Sequence, residues 1–187
     1  MLMLILNGWA APPATATWQV ISESPVHIEC AQGLPWCRSS GLVGVDQATA
    51  VRTFEQLDRY VEKMGAISVV DRLEADVLHV VMDYPFPFSD RDYVARFTRR
   101  TEADGTEVFA WTSTDHPKAP VDPDIVRLSW SEGEWSFKPE GGHTRVGYLW
   151  QSNPGGGIPD VTAVYKQAGY LAIRDIATAC GAEILKP

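Results

Sequence analysis

The stretch VTAVYKQAGYLAIRDIATA, residues 161–179, is the longest helical pattern of the chain and decides the fold. Apolar and small residues recur there every three or four positions, so they fall on or near one side of a single long helix. The residues concerned are Val161, Val164, Ala168, Leu171, Ile176 and Ala179. A helix with one apolar face has to bury it against another element, and the preceding residues must supply that element.

The residues before this helix form mainly short β-type runs. These runs are rich in β-branched and aromatic residues and are separated by turn residues such as Ser24-Pro25. The predicted strands are 18–23, 26–31, 37–45, 77–82, 93–100, 108–114, 125–131, 135–139 and 144–152, with turns expected at 103–105, 132–134 and 140–142. The pattern predicts an α+β fold in which a curved antiparallel sheet wraps around the C-terminal helix and leaves room for a ligand between them.

A shorter helical pattern lies between the third and fourth groups of β-type residues. Asp46 is a suitable N-cap, and the apolar residues after it are spaced by three and four. They are Val51, Phe54, Leu57, Val61 and Met64. We therefore expect one amphipathic helix that begins after Asp46 and ends at Gly65.

The composition fits one ordinary globular domain. The chain has 187 residues, of which 45% are hydrophobic and 21% charged, so a single core is expected. The formal net charge of −8 repels phosphate backbones and anionic lipid headgroups. We expect no nucleic-acid partner, no cofactor, and a monomer that contacts a membrane only transiently, through a local apolar loop.

The first 17 residues differ from the rest. Residues 1–6 read MLMLIL, and a Pro/Ala-rich stretch that ends in Ala14-Thr15-Ala16 follows them. This resembles the second half of a secretory signal peptide with cleavage after Ala16, although a basic segment is missing; a frayed N-terminus or a misassigned start explains it as well. We expect residues 1–17 to be a signal-peptide remnant or disordered, residues 18–187 to form the domain, and the location to be periplasmic or secreted, with the cytoplasm as the alternative.

Two of the three cysteines flank a turn. If residues 32–35 form a four-residue hairpin loop, Cys30 stands directly opposite Cys37, where side chains are close enough for a disulfide after a small adjustment. Two small apolar residues packed side by side are the alternative. Cys180, in the final helix, is expected to be a buried small hydrophobe. No zinc-binding spacing of Cys or His is present in the sequence.

The segment PFPFSDRDYV, residues 85–94, resembles the signature of START domains, the lipid-transfer domains related to the steroidogenic acute regulatory protein. Further pieces follow in the family's order and spacing: Ser113-Thr114-Asp115-His116-Pro117, Ala119-Pro120, Val126-Arg127, Trp135, Pro139, Thr144-Arg145-Val146 and Asn153–Pro159. The resemblance covers roughly residues 18–185 and is strongest to the bacterial branch. It implies a helix-grip fold and non-enzymatic binding, with transfer, of a lipid or other hydrophobic molecule in an internal cavity.

The resemblance also suggests polar site residues. Arg96 matches, by spacing, an arginine that pairs with an acidic residue inside the cavity of steroid-binding members, but the acidic position falls at or beside Leu78. An inward Arg96 needs an anion, either from the protein or from the ligand, and an outward arginine or structural salt bridge is the alternative. Arg127 is a further candidate. The proline-rich loop 115–124 corresponds to the family's gate beside the final helix, and we expect it to move as a hinged flap.

The remaining candidates for ligand contact are apolar or aromatic residues that share strand or helix faces. They are Leu78, Val80, Met82, Trp111, Tyr148, Trp150, Val164, Ala168 and Leu171. Ordinary core packing explains the same residues, and an interior filled by its own side chains remains an alternative. No catalytic motif is found, and Asp115-His116 fits a turn better than an acid–base pair. The competing functional interpretation is a polyketide cyclase or aromatase of the same superfamily.

Overall fold

The computed structural model describes residues 11–84, 88–153 and 161–186. Three parts of the sequence analysis lie outside the described residues: residues 85–87 of the PFPFSDRDYV segment, the glycine-rich segment 155–157 and most of the expected leader. The helices are α1 (Gln47–Glu55) and α2 (Val161–Ala179), and α1 is followed by 3-10 turns at Leu57–Arg59 and Val61–Lys63. The strands are β1 (Trp18–Ser22), β2 (His27–Ala31), β3 (Trp36–Val43), β4 (Ile67–Arg72), β5 (Val77–Met82), β6 (Arg91–Thr101), β7 (Glu107–Ser113), β8 (Val126–Arg127), β9 (Ser131–Glu140), β10 (His143–Ser152) and β11 (Ile184–Leu185).

The strands form one sheet in the order β1-β2-β3-β10-β9-β7-β6-β5-β4. Every neighbouring pair along this path is antiparallel. The main core lies between one face of this sheet and the two helices, because its buried residues come from β2, β3, β6, β7, β9, β10, α1 and α2. We call this side of the sheet the inner face and the opposite side the outer face. The α+β helix-grip architecture is therefore confirmed.

The first helix is shorter than its sequence pattern predicts. Asp46 caps it as expected, since its Oδ1 accepts a hydrogen bond of 2.9 Å from the amide of Thr49. The helix ends at Glu55, and the rest of the predicted helix consists of the two 3-10 turns. Leu57 and Met64 are nevertheless buried, so the apolar pattern reports burial correctly although the helical period changes.

Two strand predictions in the second half are also wrong. Glu132-Gly133-Glu134 is not a turn but part of the continuous strand β9. Residues 125–131 do not form one antiparallel strand, because Val126–Arg127 pairs in parallel with the beginning of β6 and Ser131 is already the first residue of β9. The turn at 140–142 is confirmed: Gly141 and Gly142 have φ angles of 60° and 82°, which favour glycine.

Close packing of α2 on the sheet depends on a small residue of the helix. A Cβ atom at Gly169 would lie 3.1 Å from a ring carbon of Trp150 and 3.2 Å from Ile28. The helix therefore touches β10 and β2 at this point without an intervening side chain. This contact fixes the height of α2 above the inner face.

Candidate ligand-binding site

Most of the predicted contact residues face the same interior. On β5, Leu78, Val80 and Met82 alternate onto the inner face, with Val80 paired to Tyr93 of β6. Trp111 of β7 and Tyr148 and Trp150 of β10 belong to the same side, within or against the main core. Their orientation agrees with the sequence interpretation, while their contact with a ligand stays a prediction.

The centre of the inner face is a group of stacked aromatic rings. The ring of Tyr148 lies 5.5 Å from that of Trp111 at an interplanar angle of 9°, and 4.6 Å from that of Trp150 at 15°. The ring of Trp135, on the neighbouring strand β9, has its centroid 4.3 Å from that of Tyr148. The rings of Trp111, Tyr148 and Trp150 therefore stack on one another, and we call this group the aromatic wall.

A glycine makes room for this wall. Gly133 of β9 lies opposite both Trp111 and Trp150 in the strand registers. A Cβ atom there would be 2.5 Å from a ring carbon of Trp111 and 2.1 Å from the carbonyl oxygen of Leu149. The Trp111 indole thus occupies the space that a side chain at position 133 would need. Its indole nitrogen lies 3.5 Å from the hydroxyl of Ser131, a long hydrogen bond.

Two tyrosine hydroxyls lie deep in this interior. Tyr93 and Tyr148 pack against the core but remain only partly buried by residue surface area. Burial raises the pKa of Tyr93 above its usual value. Burial is the largest cause that raises the pKa of Tyr148 well above its usual value. Electrostatic interaction with Tyr93 and Tyr84 raises this pKa further. Both hydroxyls are therefore neutral at ordinary pH and able to donate hydrogen bonds.

A pocket of about 100 Å³ opens at one end of the interior. From α2 it is lined by residues at spacings of three and four, among them the predicted Val164, Ala168 and Leu171. From the sheet side it is lined by Ala66, Met82, Asp83, Tyr84 and Phe88. We call this pocket the mouth. The structure therefore brings four of the predicted contact residues together there, namely Met82 and the three from α2.

Buried Asp175 of α2 fixes one wall of the mouth. Its Oδ2 accepts hydrogen bonds of 3.1 Å from the backbone amides of Gly65 and Ala66, just before β4. Its other oxygen accepts from Arg174. The carboxylate thus links the helix to the edge of the sheet.

A larger groove of about 360 Å³ lies towards the other end of β5 and β6. Its apolar lining comes from Phe54, Leu78, Phe97 and Phe109. Arg72 and Arg99 border it, and both are ion-paired, Arg72 with Asp58 and Arg99 with Glu55 and Glu107. No feature of the sequence analysis predicted this groove.

Arg96 does not face the interior, which corrects the sequence interpretation. It pairs in register with Val77 on the outer face. Its guanidinium forms ion pairs of 2.7 Å with Asp76 and 3.0 Å with Glu74, both from the turn between β4 and β5. The structural salt bridge, given above as the alternative, is therefore the observed state. Arg96 offers nothing to an anion inside the protein.

Arg127 is also on the outer face. Its Nε and Nη2 donate hydrogen bonds of 2.8 Å and 2.7 Å to the two carboxylate oxygens of Asp92, and His79 lies 2.8 Å from the same carboxylate. Burial alone would raise the pKa of Asp92, but the hydrogen bonds from Arg127 and His79 outweigh it and lower that pKa. Arg127 is therefore a structural residue, and its assignment to the ligand site is wrong.

Loop 115–124 packs on the outer face and not beside α2. Ala119 is buried in a cluster with Val77 and Val94, and Arg127 donates to the carbonyl oxygens of Ala119 and Pro120. His116 of the same loop lies 3.3 Å from Glu74, with its ring nitrogen near that carboxylate. The expected position of this loop as a gate beside the final helix is therefore wrong.

The inward arginine at this end of the sheet is Arg91. It pairs in register with Met82, is 1% exposed, and donates from Nη1 to the carbonyl oxygen of Ser89. Its guanidinium lies 4.4 Å from the ring centroid of Tyr84 at the mouth. The sequence analysis considered an inward arginine only at Arg96 and did not single out Arg91.

Sequence reasoning missed Tyr93, Phe97 and Trp135, which belong to the aromatic interior. The signal was available in β6, where Tyr93, Ala95 and Phe97 alternate with polar residues and Arg96 falls on the other side. The resemblance to the family had instead suggested that Arg96 points to the inner face, which would have turned Tyr93 and Phe97 outward. The apolar alternation identifies the inner face correctly.

Cys30 and Cys37 form a disulfide. They are directly opposite in the register of β2 and β3, as the four-residue loop predicts, and Cys37 also pairs with Trp150 of β10. The bridge therefore closes the sheet next to the aromatic wall. Cys180 is a free, partly buried cysteine.

Other kinds of site find no support in the part of the chain that the structure describes. Across residues 11–84, 88–153 and 161–186, no cluster of three His, Cys, Asp or Glu side chains is placed to hold a metal ion. Neither described helix combines the length and apolarity that crossing a membrane requires.

This combination of a helix-gripping sheet and an aromatic interior defines the helix-grip class. The START domain family model matches residues 15–177, and the chain belongs to that family. An uncharacterized protein of Pseudomonas aeruginosa is 37% identical over 169 residues, which cover 85% of this chain and 83% of that protein.

Solved structures of low sequence identity share the fold. A STAR-related lipid transfer protein from Xanthomonas axonopodis has a TM-score of 0.73 at 17% identity, covering 88% of this chain and 98% of that fragment. The Zhui aromatase/cyclase from a Streptomyces species has a TM-score of 0.51 at 14% identity, covering 78% of this chain and 91% of that one. The fold therefore occurs in both a lipid transfer protein and an enzyme.

Proposed function

We propose that this protein is a non-enzymatic carrier that binds one lipid or other hydrophobic small molecule between the inner face and α2 and can pass it on. The observation that carries the proposal is the aromatic interior, in which Tyr93, Trp135 and Tyr148 face the core yet remain only partly buried. In a solid core, side chains at the centre of a sheet are closely packed and lose their accessible surface. Rings that keep such surface suit the walls of a cavity.

The mouth supports an entry route into that cavity. Val164, Ala168 and Leu171 present apolar surface there, opposite Met82. An apolar molecule that moves from water into such an enclosure gains about 25 cal/mol for each Å² of apolar surface removed from water. Membership of the START family and the fold shared with a STAR-related lipid transfer protein agree with this role.

Organic extraction tests the carrier proposal. Protein purified without detergent from its own host should release one apolar compound in near-stoichiometric amount, and the compound should be chemically unchanged after incubation with fresh protein. Recovery of a compound that the protein converts into a product would support an enzyme instead. An extract with no bound compound would contradict the carrier proposal.

A polyketide cyclase or aromatase is the second candidate. The specific observation in its favour is the pair of buried tyrosine hydroxyls, since a phenol can act as a general acid. For an enzyme, Tyr93→Phe or Tyr148→Phe should abolish turnover of a polyketone substrate while the fold is retained. For a carrier, the same changes should alter only affinity.

We further propose that the protein works as a monomer in an oxidising compartment, the periplasm or the exterior. The Cys30–Cys37 disulfide supports this location, because such bridges are rare where thiols are kept reduced. Membrane contact is proposed to be brief, since a net charge of −8 opposes residence on anionic lipid. Alkylation of thiols in fractionated host cells should find the bridged form outside the cytoplasm; a fully reduced cytoplasmic pool would refute the location.

A further inference from the structure

The beginning of β6 is held on one side by the very short strand β8. β7 pairs with β6 from Ala95 to Thr101 and therefore leaves the first residues of β6 uncovered on that side. β8 (Val126–Arg127) pairs with Arg91 and Asp92 instead, and the amide of Leu128 donates a hydrogen bond of 2.8 Å to the carbonyl oxygen of Asp92. Strands usually have about 3–10 residues, so a strand of two residues depends on additional contacts to stay in place.

The side chain of Arg127 supplies these contacts. It donates hydrogen bonds of 2.8 Å and 2.7 Å to the two oxygens of the buried Asp92 carboxylate, which His79 also contacts at 2.8 Å. Paired charge-assisted hydrogen bonds of this kind fix geometry as well as distance. The same guanidinium donates a hydrogen bond of 3.1 Å to the carbonyl oxygen of Ala119 in loop 115–124. We call Asp92 and Arg127 the outer clamp, because together they join this loop and β8 to the beginning of β6.

The same end of β6 carries the sheet side of the mouth. Tyr84 and Phe88, which line the mouth, lie between β5 and β6 in the chain. The carboxylate of Asp90 accepts a hydrogen bond of 3.0 Å from the amide of Tyr84, and its carbonyl oxygen accepts one of 2.9 Å from the amide of Val126 in β8. The guanidinium of Arg91 lies 4.4 Å from the centroid of the Tyr84 ring. The position of Tyr84 at the mouth therefore depends on the pairing between β6 and β8.

The helix side of the mouth is fixed by other contacts. Asp175 of α2 accepts hydrogen bonds from the amides of Gly65 and Ala66, and Gly169 sets the height of α2 on the sheet. None of these contacts involves β8 or loop 115–124. Loss of the outer clamp should therefore loosen the sheet side of the mouth while α2 stays in place.

We propose that the outer clamp controls passage through the mouth: with loop 115–124 docked on the outer face, it holds the beginning of β6 in place and so limits how fast a ligand enters and leaves. Asp92 and Arg127 are positioning residues, because they act through β6 from the opposite face of the sheet. Contacts that restrain a local opening change its rate, and they leave the fit of an enclosed ligand unchanged. This inference rests on the proposed carrier function and adds a control element to it.

Hydrogen–deuterium exchange followed by NMR tests the link between the outer clamp and the mouth without a ligand. Arg127→Gln should speed exchange of the Tyr84 amide by about 2- to 30-fold, the range expected for residues that couple two sites. The amide of Val146, in the middle of the sheet, reports global unfolding and should change less. The matched control is Arg145→Gln, which removes a similar two-bond ion pair with Glu140 between β9 and β10 and should leave Tyr84 unchanged. Equal exchange of Tyr84 in the wild type and Arg127→Gln would overturn the inference.

Stopped-flow fluorescence measures passage itself. The protein is loaded with 1,6-diphenyl-1,3,5-hexatriene, a neutral apolar fluorophore, and mixed with phosphatidylcholine vesicles that take up the released probe. Arg127→Gln should raise the rates of release and uptake alike, by about 2- to 30-fold, and leave the dissociation constant unchanged. Arg127→Lys should fall between it and the wild type, because lysine keeps the charge without the two-bond geometry. Arg145→Gln should match the wild type.

A second variant undocks the loop and keeps both residues of the outer clamp. Ala119 is buried against Val77 and Val94, so Ala119→Glu should displace loop 115–124 and speed release as well. It carries the test if Arg127→Gln does not fold.

The outcomes separate this inference from the carrier proposal. If the wild type binds the probe and the folded variants release it at the wild-type rate, the inference is wrong and the carrier proposal stands. If release is faster while uptake is unchanged, the outer clamp stabilises the bound state and does not control passage, so the inference is again wrong. If the wild type binds no probe, the inference is overturned, and organic extraction of host-purified protein decides the carrier proposal independently.

Discussion

The Cys30–Cys37 bridge gives the sharpest test of how the first three strands are held. It closes a short loop, with a sequence separation of 7, between β2 and β3. The chain-entropy relation for a loop of about 8 residues gives roughly 2.5 kcal/mol of stabilisation at 25 °C. For a domain of this size, that corresponds to a melting temperature about 5–10 °C lower without the bridge.

Thermal unfolding followed by circular dichroism measures this difference. We expect Cys30→Ala with Cys37→Ala to melt about 5–10 °C below the wild type, and a reductant to lower the wild type by a similar amount without affecting the double variant. Cys180→Ala is the control, since Cys180 is a free thiol and its loss should leave the response to reductant intact. Thiol titration of the unreduced, unfolded wild type should find one free thiol. Three free thiols, with no effect of reductant on melting, would refute the reasoning.

Further predictions concern the outer-face network, the aromatic wall, the mouth and Arg96. Asp92→Asn should destabilise the protein by about 2–3 kcal/mol at pH 7. Because the folded-state pKa of Asp92 is lowered, its contribution is present above its unfolded pKa and is lost as pH falls through the folded value, so urea unfolding should show the two proteins converging in acid. Gly133→Ala should lower the free energy of unfolding by about 1–3 kcal/mol through overpacking and should shift the tryptophan fluorescence spectrum. An unchanged spectrum and an unchanged stability would contradict the packing described. Ala168→Phe should slow ligand uptake in stopped-flow experiments because it fills the mouth, whereas Ala163→Phe, at an exposed position of the same helix, should not; equal effects would remove the mouth as the entry route. Arg96→Gln should leave ligand affinity unchanged and change the melting temperature only slightly, because exposed ion pairs contribute little to stability; a loss of affinity would contradict the outward orientation.

The architecture followed from patterns that have a direct physical cause. The apolar face of residues 161–179 predicted the gripping helix, and the loop between Cys30 and Cys37 predicted a register that the structure contains. The C-terminal end of α1 could not be predicted in the same way. Leu57 and Met64 are buried although they follow α1 in or beside 3-10 turns, and an α-helix would have buried them equally well. Apolar spacing reports which residues are buried more reliably than which backbone presents them.

The site was predicted less well than the fold, and the errors concern charged residues. Arg96 and Arg127 both have acidic partners that lie far away in sequence, Glu74 and Asp76 for the first and Asp92 for the second. A single sequence does not show which long-range partner a guanidinium will find, so the side of the sheet was assigned from resemblance.

Gly133 illustrates a further limit of sequence reasoning. Glycine between two glutamates is typical of a turn, yet here it is required inside a strand because the Trp111 ring fills its place. Such a requirement depends on a side chain of the neighbouring strand β7, which is distant in sequence, and not on local sequence. The aromatic wall that results was therefore visible only in the folded structure.

Native mass spectrometry of the protein purified from its own host tests the central claim most directly. The account predicts a single dominant species heavier than the bare chain by the mass of one small molecule, and loss of that mass when the protein is unfolded in acid and organic solvent. Displacement of the bound mass by an added apolar probe would place both molecules in one cavity. A mass equal to that of the bare chain in every preparation, with no added probe retained, would contradict the claim that this sheet and helix enclose a ligand.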